Sequence, residues 1–138
     1  MSEDSTISLI LGIPIGLISG IYTGIIVSRL VRFAELRNET LRIIRGINFI
    51  ERPPVIEVSN ENETSKLILI SGDMYFLKHS KAGDILHSLS IEISRTNYEA
   101  KAGKTTLTEY SKHYEEWQIK ARNLSPNKWV IFRLWGSI

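Results

Sequence analysis

Residues 6–28 read TISLILGIPIGLISGIYTGIIVS and contain no Asp, Glu, Lys, Arg or His. At about 1.5 Å of rise per helical residue, this apolar run is long enough to cross a hydrocarbon core of roughly 30 Å. The sequence therefore predicts a single transmembrane helix over residues 6–31. Pro14 lies inside it and predicts a kink, because its ring displaces a backbone hydrogen bond.

Small residues recur at every fourth position of this helix. The row consists of Gly12, Gly16, Gly20 and Gly24, with Ser8 and Ser28 at its two ends. Because lipid tails give helices little hydrophobic reason to associate, close approach at small residues drives helix packing in membranes. The row predicts a helix-packing surface for a second copy of the chain or for another membrane protein. The alternative is that glycine is simply frequent in membrane helices.

Basic residues follow the apolar run, and none precedes it. Residues 1–5 are acidic, whereas five arginines lie between Arg29 and Arg45. Loops rich in Lys and Arg stay on the cytoplasmic side. We therefore expect residues 1–5 to form a short extracytoplasmic tail and the bulk of the chain to lie in the cytosol, beneath an inner or plasma membrane. The acidic start and long run favour an anchor over a cleaved signal peptide.

Arg29 and Arg32 are the basic residues closest to the predicted membrane surface. They are expected at the interface, either setting topology alone or also contacting anionic headgroups. Beyond them the composition is that of a soluble protein. Residues 32–138 contain 16 Lys or Arg against 13 Asp or Glu. This basic excess is too small to indicate a nucleic-acid partner. The absence of cysteine excludes disulfides, thiolate metal sites and cysteine nucleophiles.

The rest of the chain is predicted to be mainly helical. The absence of Gly and Pro between Ile25 and Arg45 predicts that the helix continues as a juxtamembrane helix over residues 32–52, until Pro53 and Pro54 end it. Its apolar stripe consists of Phe33, Leu36, Thr40 or Leu41, Ile44 and Ile47. Residues 53–138 are predicted to form a cytosolic helical module with the fold of a helical hairpin.

Within that module, residues 55–59 form a short extended piece. A capping box at residues 60–63 starts a helix that continues to about Arg95. After a loop at residues 101–104, a third helix spans about Thr106 to Asn123. Residues 66–80 also fit a strand hairpin around Gly72, but the helical period continues across both pieces and favours the helix.

The C-terminal segment from residue 128 reads KWVIFRLWGSI and is both aromatic and basic. It is too short to cross a bilayer. Trp129 and Trp135 favour the boundary between membrane and water. The segment is therefore expected to lie in the plane of the inner leaflet, or else to pack into the helical core or pair as a strand.

Patterns of catalytic or ligand-binding chemistry are incomplete. The string AGKT at residues 102–105 matches the end of a phosphate-binding loop, but Tyr98 stands where that loop needs its first glycine. Zinc sites use tighter ligand sets than the histidines offer. The candidate ligands are His79 with His87 and Asp84, and His113 with Glu116. The acidic pairs, Glu115 with Glu116 and Glu61 with Glu63, are typical of solvated surfaces. We predict no catalytic, cofactor or metal site.

These patterns favour a non-enzymatic, single-pass membrane protein. It would associate through the glycine row and present its cytosolic module to a partner, as a scaffold or a regulatory subunit. The alternative is an oligomeric pore or a membrane-perturbing effector. The apolar run has no ionisable residue, so the usual marker of an ion pathway is missing.

Overall fold

The computed structural model describes residues 3–133, with side chains described from Thr6 onward. This part of the chain is mainly helical, as predicted, with one long apolar helix at its N-terminal end. Its elements, in order, are α1 (Glu3–Arg45), β1 (Asn48–Arg52), β2 (Val55–Ser59), a 3-10 turn (Glu61–Ser65), α2 (Lys66–Phe76), α3 (Ser80–Lys101), α4 (Leu107–Arg122) and α5 (Lys128–Phe132).

Helix α1 has two halves of different character. Its first half is the apolar run, which lies outside the rest of the fold, and α1 continues through Pro14 without interruption. Its second half buries a stripe of side chains at three- and four-residue spacing, as predicted. The buried members include Phe33, Leu36, Thr40 and Ile44. The hydroxyl of Thr40 donates to the Leu36 carbonyl at 2.9 Å, so its burial leaves no unpaired donor.

The prediction of a helix over residues 32–52 is wrong beyond Arg45. Residues 48–52 form strand β1, which pairs antiparallel with β2 over the stretch that was predicted to be extended. Gly46 weakens the helix at this point. The ring of Phe49 instead packs against Tyr110 at 4.7 Å and Tyr114 at 5.3 Å. Strand pairing and these long-range ring contacts override the local helical pattern.

The helices after β2 run alternately back and forth beside the second half of α1. The side-chain amide of Asn60 donates to the Gly46 carbonyl at 3.0 Å. This bond places the 3-10 turn that leads into α2 beside the end of α1. After α2, the ring of His79 meets Phe33 at 4.9 Å between centroids. Helix α3 runs back to the level of the 3-10 turn, where Lys101 pairs with Glu61.

Helix α4 then runs back beside α1. The Tyr114 hydroxyl donates to the Arg45 carbonyl at 3.3 Å. From here on, the module means residues 46–133, which include the described part of the helical module predicted over residues 53–138. Its near end, toward the apolar run, contains the turn at residues 77–79 and α5. Its far end contains the β-hairpin and the loop after α3.

The helix predicted from the capping box to Arg95 is interrupted. Lys78 adopts a left-handed conformation with φ 64°, and the His79 amide donates to the Met74 carbonyl at 2.8 Å, which ends α2. Residues 66–76 are helical, so the alternative strand hairpin is wrong. The described part of residues 53–138, predicted to be a helical hairpin, thus contains three longer helices, α2, α3 and α4, together with β2, a 3-10 turn and the short α5.

The predicted capping box at Asn60 does not form. Asn60 has φ 64° and makes no side-chain cap. A capping box forms instead at the start of α4, where the Glu109 amide donates to the Thr106 hydroxyl at 3.3 Å. The Thr106 amide donates back to the Glu109 carboxylate at 3.0 Å. The third predicted helix is confirmed with these bounds.

The core of the module centres on two aromatic side chains of α4. Trp117 and Tyr110 are fully buried and meet edge to face at 5.8 Å. Both polar atoms are satisfied. The Tyr110 hydroxyl donates to the Asn97 side-chain oxygen at 2.7 Å, and the Trp117 indole nitrogen donates to Glu92 at 3.2 Å. Burial raises the pKa of Tyr110.

Candidate functional site

The apolar run of α1 is not covered by the described part of the chain. None of its most apolar 18-residue window is buried, and that window has a mean hydropathy of 2.1. Most of its large side chains are more than half exposed, from Val27 at 51% to Ile18 at 67%, whereas Ile25 and Ile26 near its end are half-buried. By length and composition α1 can cross a membrane, a property shared by signal sequences and by core helices of soluble proteins.

The glycine row is open to a neighbour along its length. A Cβ atom built on Gly12, Gly16, Gly20 or Gly24 meets nothing within 4 Å. Successive helical residues are turned by about 100°, so Gly20 and Gly24 lie about 160° to either side of Tyr22. Tyr22 is one of the residues of α1 that contact α5. Gly20 and Gly24 therefore face away from the module, and this part of the row is sterically accessible.

Helix α5 is fastened to α1 through the carbonyls at its end. The Arg29 guanidinium donates to the carbonyls of Val130 at 2.8 Å, Ile131 at 3.4 Å and Arg133 at 2.6 Å. The Tyr22 hydroxyl donates to the remaining one, Phe132, at 3.0 Å. Carbonyls at a helix C-terminus have no partner within the helix, so two side chains of α1 satisfy four consecutive ones.

The two arginines that the sequence places at the membrane surface therefore differ. Arg29 is part-buried beneath α5, whereas Arg32 is exposed and pairs with Glu35 at 3.3 Å. Surface pairs of the latter kind contribute little to stability. Of these two arginines, Arg29 is the one that bonds to a distant part of the described chain.

The residues of the C-terminal segment differ in their exposure. Trp129 is 87% exposed and Phe132 is 57% exposed, whereas Ile131 between them is buried in the module. Residues 128–132 are helical, so the strand alternative is wrong for them. Trp135 lies outside the described residues. Helix α5 thus combines a core contact with an exposed aromatic face.

His79 connects α5 to the rest of the near end. Its Nδ1 accepts a hydrogen bond from the Asn127 amide at 3.0 Å, and the Asn127 side chain donates to the Lys78 carbonyl at 3.4 Å. Burial lowers the pKa of His79, because the charged imidazolium is poorly solvated there. A neutral His79 is also the form that can accept this bond.

The structure separates the candidate metal ligands His79, His87 and Asp84, and it pairs an acidic residue, Glu63, that the sequence offered only as part of an acidic pair. His87 is exposed, and Asp84 accepts from the Tyr75 hydroxyl, a bond that raises the pKa of Tyr75. Glu63 pairs with Lys66 at 2.5 Å. The structure does not unite His79, His87 and Asp84 in a ligand set.

In the structure Glu92 of α3 lies beside His113 and Glu116, a grouping that the sequence did not indicate. Ligand atoms of His113, Glu116 and Glu92 lie within 4.8 Å of one another. His113 Nδ1 is buried and lacks a hydrogen-bond partner among the described residues. Both oxygens of Glu92 are already engaged, one by Trp117 and one by Lys120 at 2.6 Å. The ammonium of Lys120 already neutralises the carboxylate of Glu92, which would be one of the three ligands. No sequence spacing links Glu92 to these residues of α4.

The AGKT string serves to end a helix. Gly103 has φ 70°, and the Lys104 amide donates to the Glu99 carbonyl at 2.9 Å, which closes the end of α3. Phosphate-binding loops instead precede a helix, where free amides and the positive end of the helix dipole attract anions. AGKT closes the negative end of α3 and stands two residues before α4, where the Thr106 hydroxyl already accepts from the Glu109 amide.

Comparison with known protein families, with curated proteins and with solved structures finds no match for this chain.

Proposed function

We propose that this chain is a non-enzymatic, single-pass membrane protein. Its apolar run spans the bilayer and associates through the glycine row, and its module is presented to a partner in the cytosol as a scaffold or a regulatory subunit. The observation that carries this proposal is the apolar run itself, whose most apolar 18-residue window has no residue buried by the described chain. An uncovered apolar rod in water would be strongly unfavourable, since burial of apolar surface contributes about 25 cal/mol per Å².

The module supports this assignment by having a core of its own. The stripe from Phe33 to Ile47 is buried against α2 and α4, whereas the run before Ser28 contributes nothing to that core. A helix that is apolar on all sides needs a surrounding of protein or lipid. Lipid satisfies it without requiring a second apolar protein surface.

The orientation follows from charge. Five arginines lie between Arg29 and Arg45, and the residues before the run are acidic. The positive-inside rule therefore places the module on the cytosolic side. Association through the glycine row is supported by its accessibility, because the module packs against the other side of α1 at Tyr22 and Arg29.

A paired substitution tests this function. In membranes of cells that express the full chain, Gly16→Ile together with Gly20→Ile adds bulk to the row, so we expect chemically crosslinked oligomers to disappear. Retention of the protein in membranes after alkaline extraction shows that the span is intact. Oligomers of unchanged size in this variant would overturn association through the row.

A matched control adds bulk to the opposite surface of the same helix. Leu11 and Ile18 are seven residues apart and lie on one stripe, about 140–160° from Gly16. The control, Leu11→Phe with Ile18→Phe, should keep the oligomer. Loss of oligomers in both variants would indicate that general crowding, rather than the row, sets association. Release of the unmodified chain by alkaline extraction would refute the membrane span itself.

A further inference from the structure

We propose that α5 and the adjoining end of α2 form an interfacial surface that inserts into the leaflet from which α1 emerges. The occupant of this surface is the lipid boundary itself, with anionic headgroups around apolar side chains. The inference rests on the proposed span of α1 and deepens it, because it adds a second and separate contact between the chain and the bilayer.

The position of α5 along α1 is the first argument. Arg29 is the first charged residue after the apolar run, and Tyr22 lies seven residues before it, about 10 Å along the helix. The Tyr22 hydroxyl contacts the Phe132 carbonyl at 3.0 Å. The end of α5 therefore extends past Arg29 toward the apolar run, to the level at which the membrane surface is expected.

The satisfied carbonyls are the second argument. The four consecutive carbonyls from Val130 to Arg133 all accept hydrogen bonds from Arg29 or Tyr22. In water such carbonyls need no protein donor, because solvent supplies one. Near the hydrocarbon core an unpaired carbonyl costs several kcal/mol, so internal donors are needed. The end of α5 meets this requirement.

The exposed side chains at the near end are the third argument. Trp129 and Phe132 are three residues apart on α5 and share one helical side. Phe76 ends α2 and is 78% exposed. It lies two residues before Lys78, whose carbonyl is bonded to Asn127 at the start of α5. Aromatic side chains of this kind favour the membrane boundary.

The charges at the near end complement a lipid surface. Residues 73–84 and 123–133 together contain four basic residues and two acidic ones, Asp73 and Asp84, of which Asp84 accepts from the Tyr75 hydroxyl. The basic residues are Lys78, Lys81, Lys128 and Arg133. Basic residues close to an anionic leaflet are attracted to its headgroups. Apolar insertion and charge therefore favour the same placement of this end.

Spin labelling of the full chain tests the inference, and the absence of cysteine from the chain makes each label unique. Trp129→Cys and Phe132→Cys carry the test labels, and both side chains are exposed, so the module should fold unchanged. Ile13→Cys reports on the span, and Thr108→Cys reports on the far end. The labelled chains are placed in liposomes of phosphatidylcholine and phosphatidylglycerol. Collision with oxygen marks lipid, and collision with a water-soluble nickel complex marks solvent.

We expect the labels at residues 129 and 132 to lie about 5–10 Å into the boundary between headgroups and acyl chains. The label at 13 should lie deeper, and the label at 108 should be in water. Labels at 129 and 132 as open to nickel as the one at 108 would overturn the interfacial surface, while a lipid-embedded label at 13 would preserve the proposed span. Protection of 129 and 132 from both oxygen and nickel would show a protein occupant instead. A label at 13 in water would refute the span.

Discussion

Replacing Arg29 by Gln should loosen α5 from α1. The guanidinium makes two short bonds to this segment, 2.8 Å to the Val130 carbonyl and 2.6 Å to the Arg133 carbonyl. A hydrogen bond from a charged donor contributes about 1.5–3 kcal/mol, and the two share one partly exposed group. We therefore take about 2 kcal/mol for the pair, which is about a 30-fold change in the docked population at about 1.4 kcal/mol per tenfold.

Hydrogen exchange of the full chain in detergent measures this change. The amides of Val130 and Ile131 donate to the Asn127 carbonyl at 3.1 and 3.2 Å, so they are protected only while α5 is formed. Exchange of a peptide covering residues 125–133 should accelerate by about 30-fold in the Arg29 variant, since local opening sets the exchange rate.

Arg32→Gln is the matched control for this experiment. Arg32 is also a basic residue near the predicted membrane surface, but it contacts only Glu35 in an exposed pair at 3.3 Å. Its removal should change the same exchange rate by no more than about twofold. Equal acceleration in the two variants would refute the reasoning, as would an Arg29→Gln chain with unchanged exchange, since α5 would then be held by other contacts.

Three further predictions concern the module. Trp117→Ala removes a fully buried ring and the donor to Glu92, so the free energy of unfolding should fall by about 3–5 kcal/mol, as measured by denaturant unfolding; a loss below 1 kcal/mol would contradict the described core. Thr106→Ala removes the capping box of α4 and should cost about 1 kcal/mol in the same assay, whereas Thr108→Ala, two residues away and exposed, should cost less than half of that. Because burial lowers the pKa of His79, its neutral form is favoured in the folded state, and the resulting stability is full above the unfolded pKa of about 6.5 and is lost as pH falls below it. The heat-unfolding midpoint should therefore drop on acidification by a larger amount than in His79→Gln, and an identical pH dependence in the two chains would remove His79 from the explanation.

The sequence was most informative where local patterns and tertiary packing agree. The apolar run, the continuation of α1 to Arg45, the extended residues 55–59 and helix α4 follow from hydrophobic periodicity and turn chemistry. Strand β1 was missed because its pairing partner and the contacts of Phe49 lie elsewhere in the chain. The capping box illustrates the same limit. Asn60 and Thr106 both precede an acidic residue by three positions, and only Thr106 adopts the extended conformation that an N-cap needs.

The near end shows which site features sequence cannot supply. The sequence indicates Arg29 and Trp129 as membrane-interface residues, but only the structure shows that Arg29 bonds to the carbonyls at the end of α5, whereas Trp129 lies exposed at the start of that helix. The parts played by Tyr22, His79 and Asn127 depend on contacts over long sequence separations. No periodic signal marks such pairs. Tyr22 in particular reads as one more mildly polar residue in an apolar helix.

Cysteine crosslinking along α1 tests the central claim most directly. Single cysteines are placed at each position from residue 15 to residue 24 of the otherwise cysteine-free chain, in intact membranes, and oxidative dimer formation is measured at each. Association through the glycine row predicts maxima at 16, 20 and 24 and a minimum at 18. A maximum at 18, or dimer yields that are uniformly low at every position, would contradict the account.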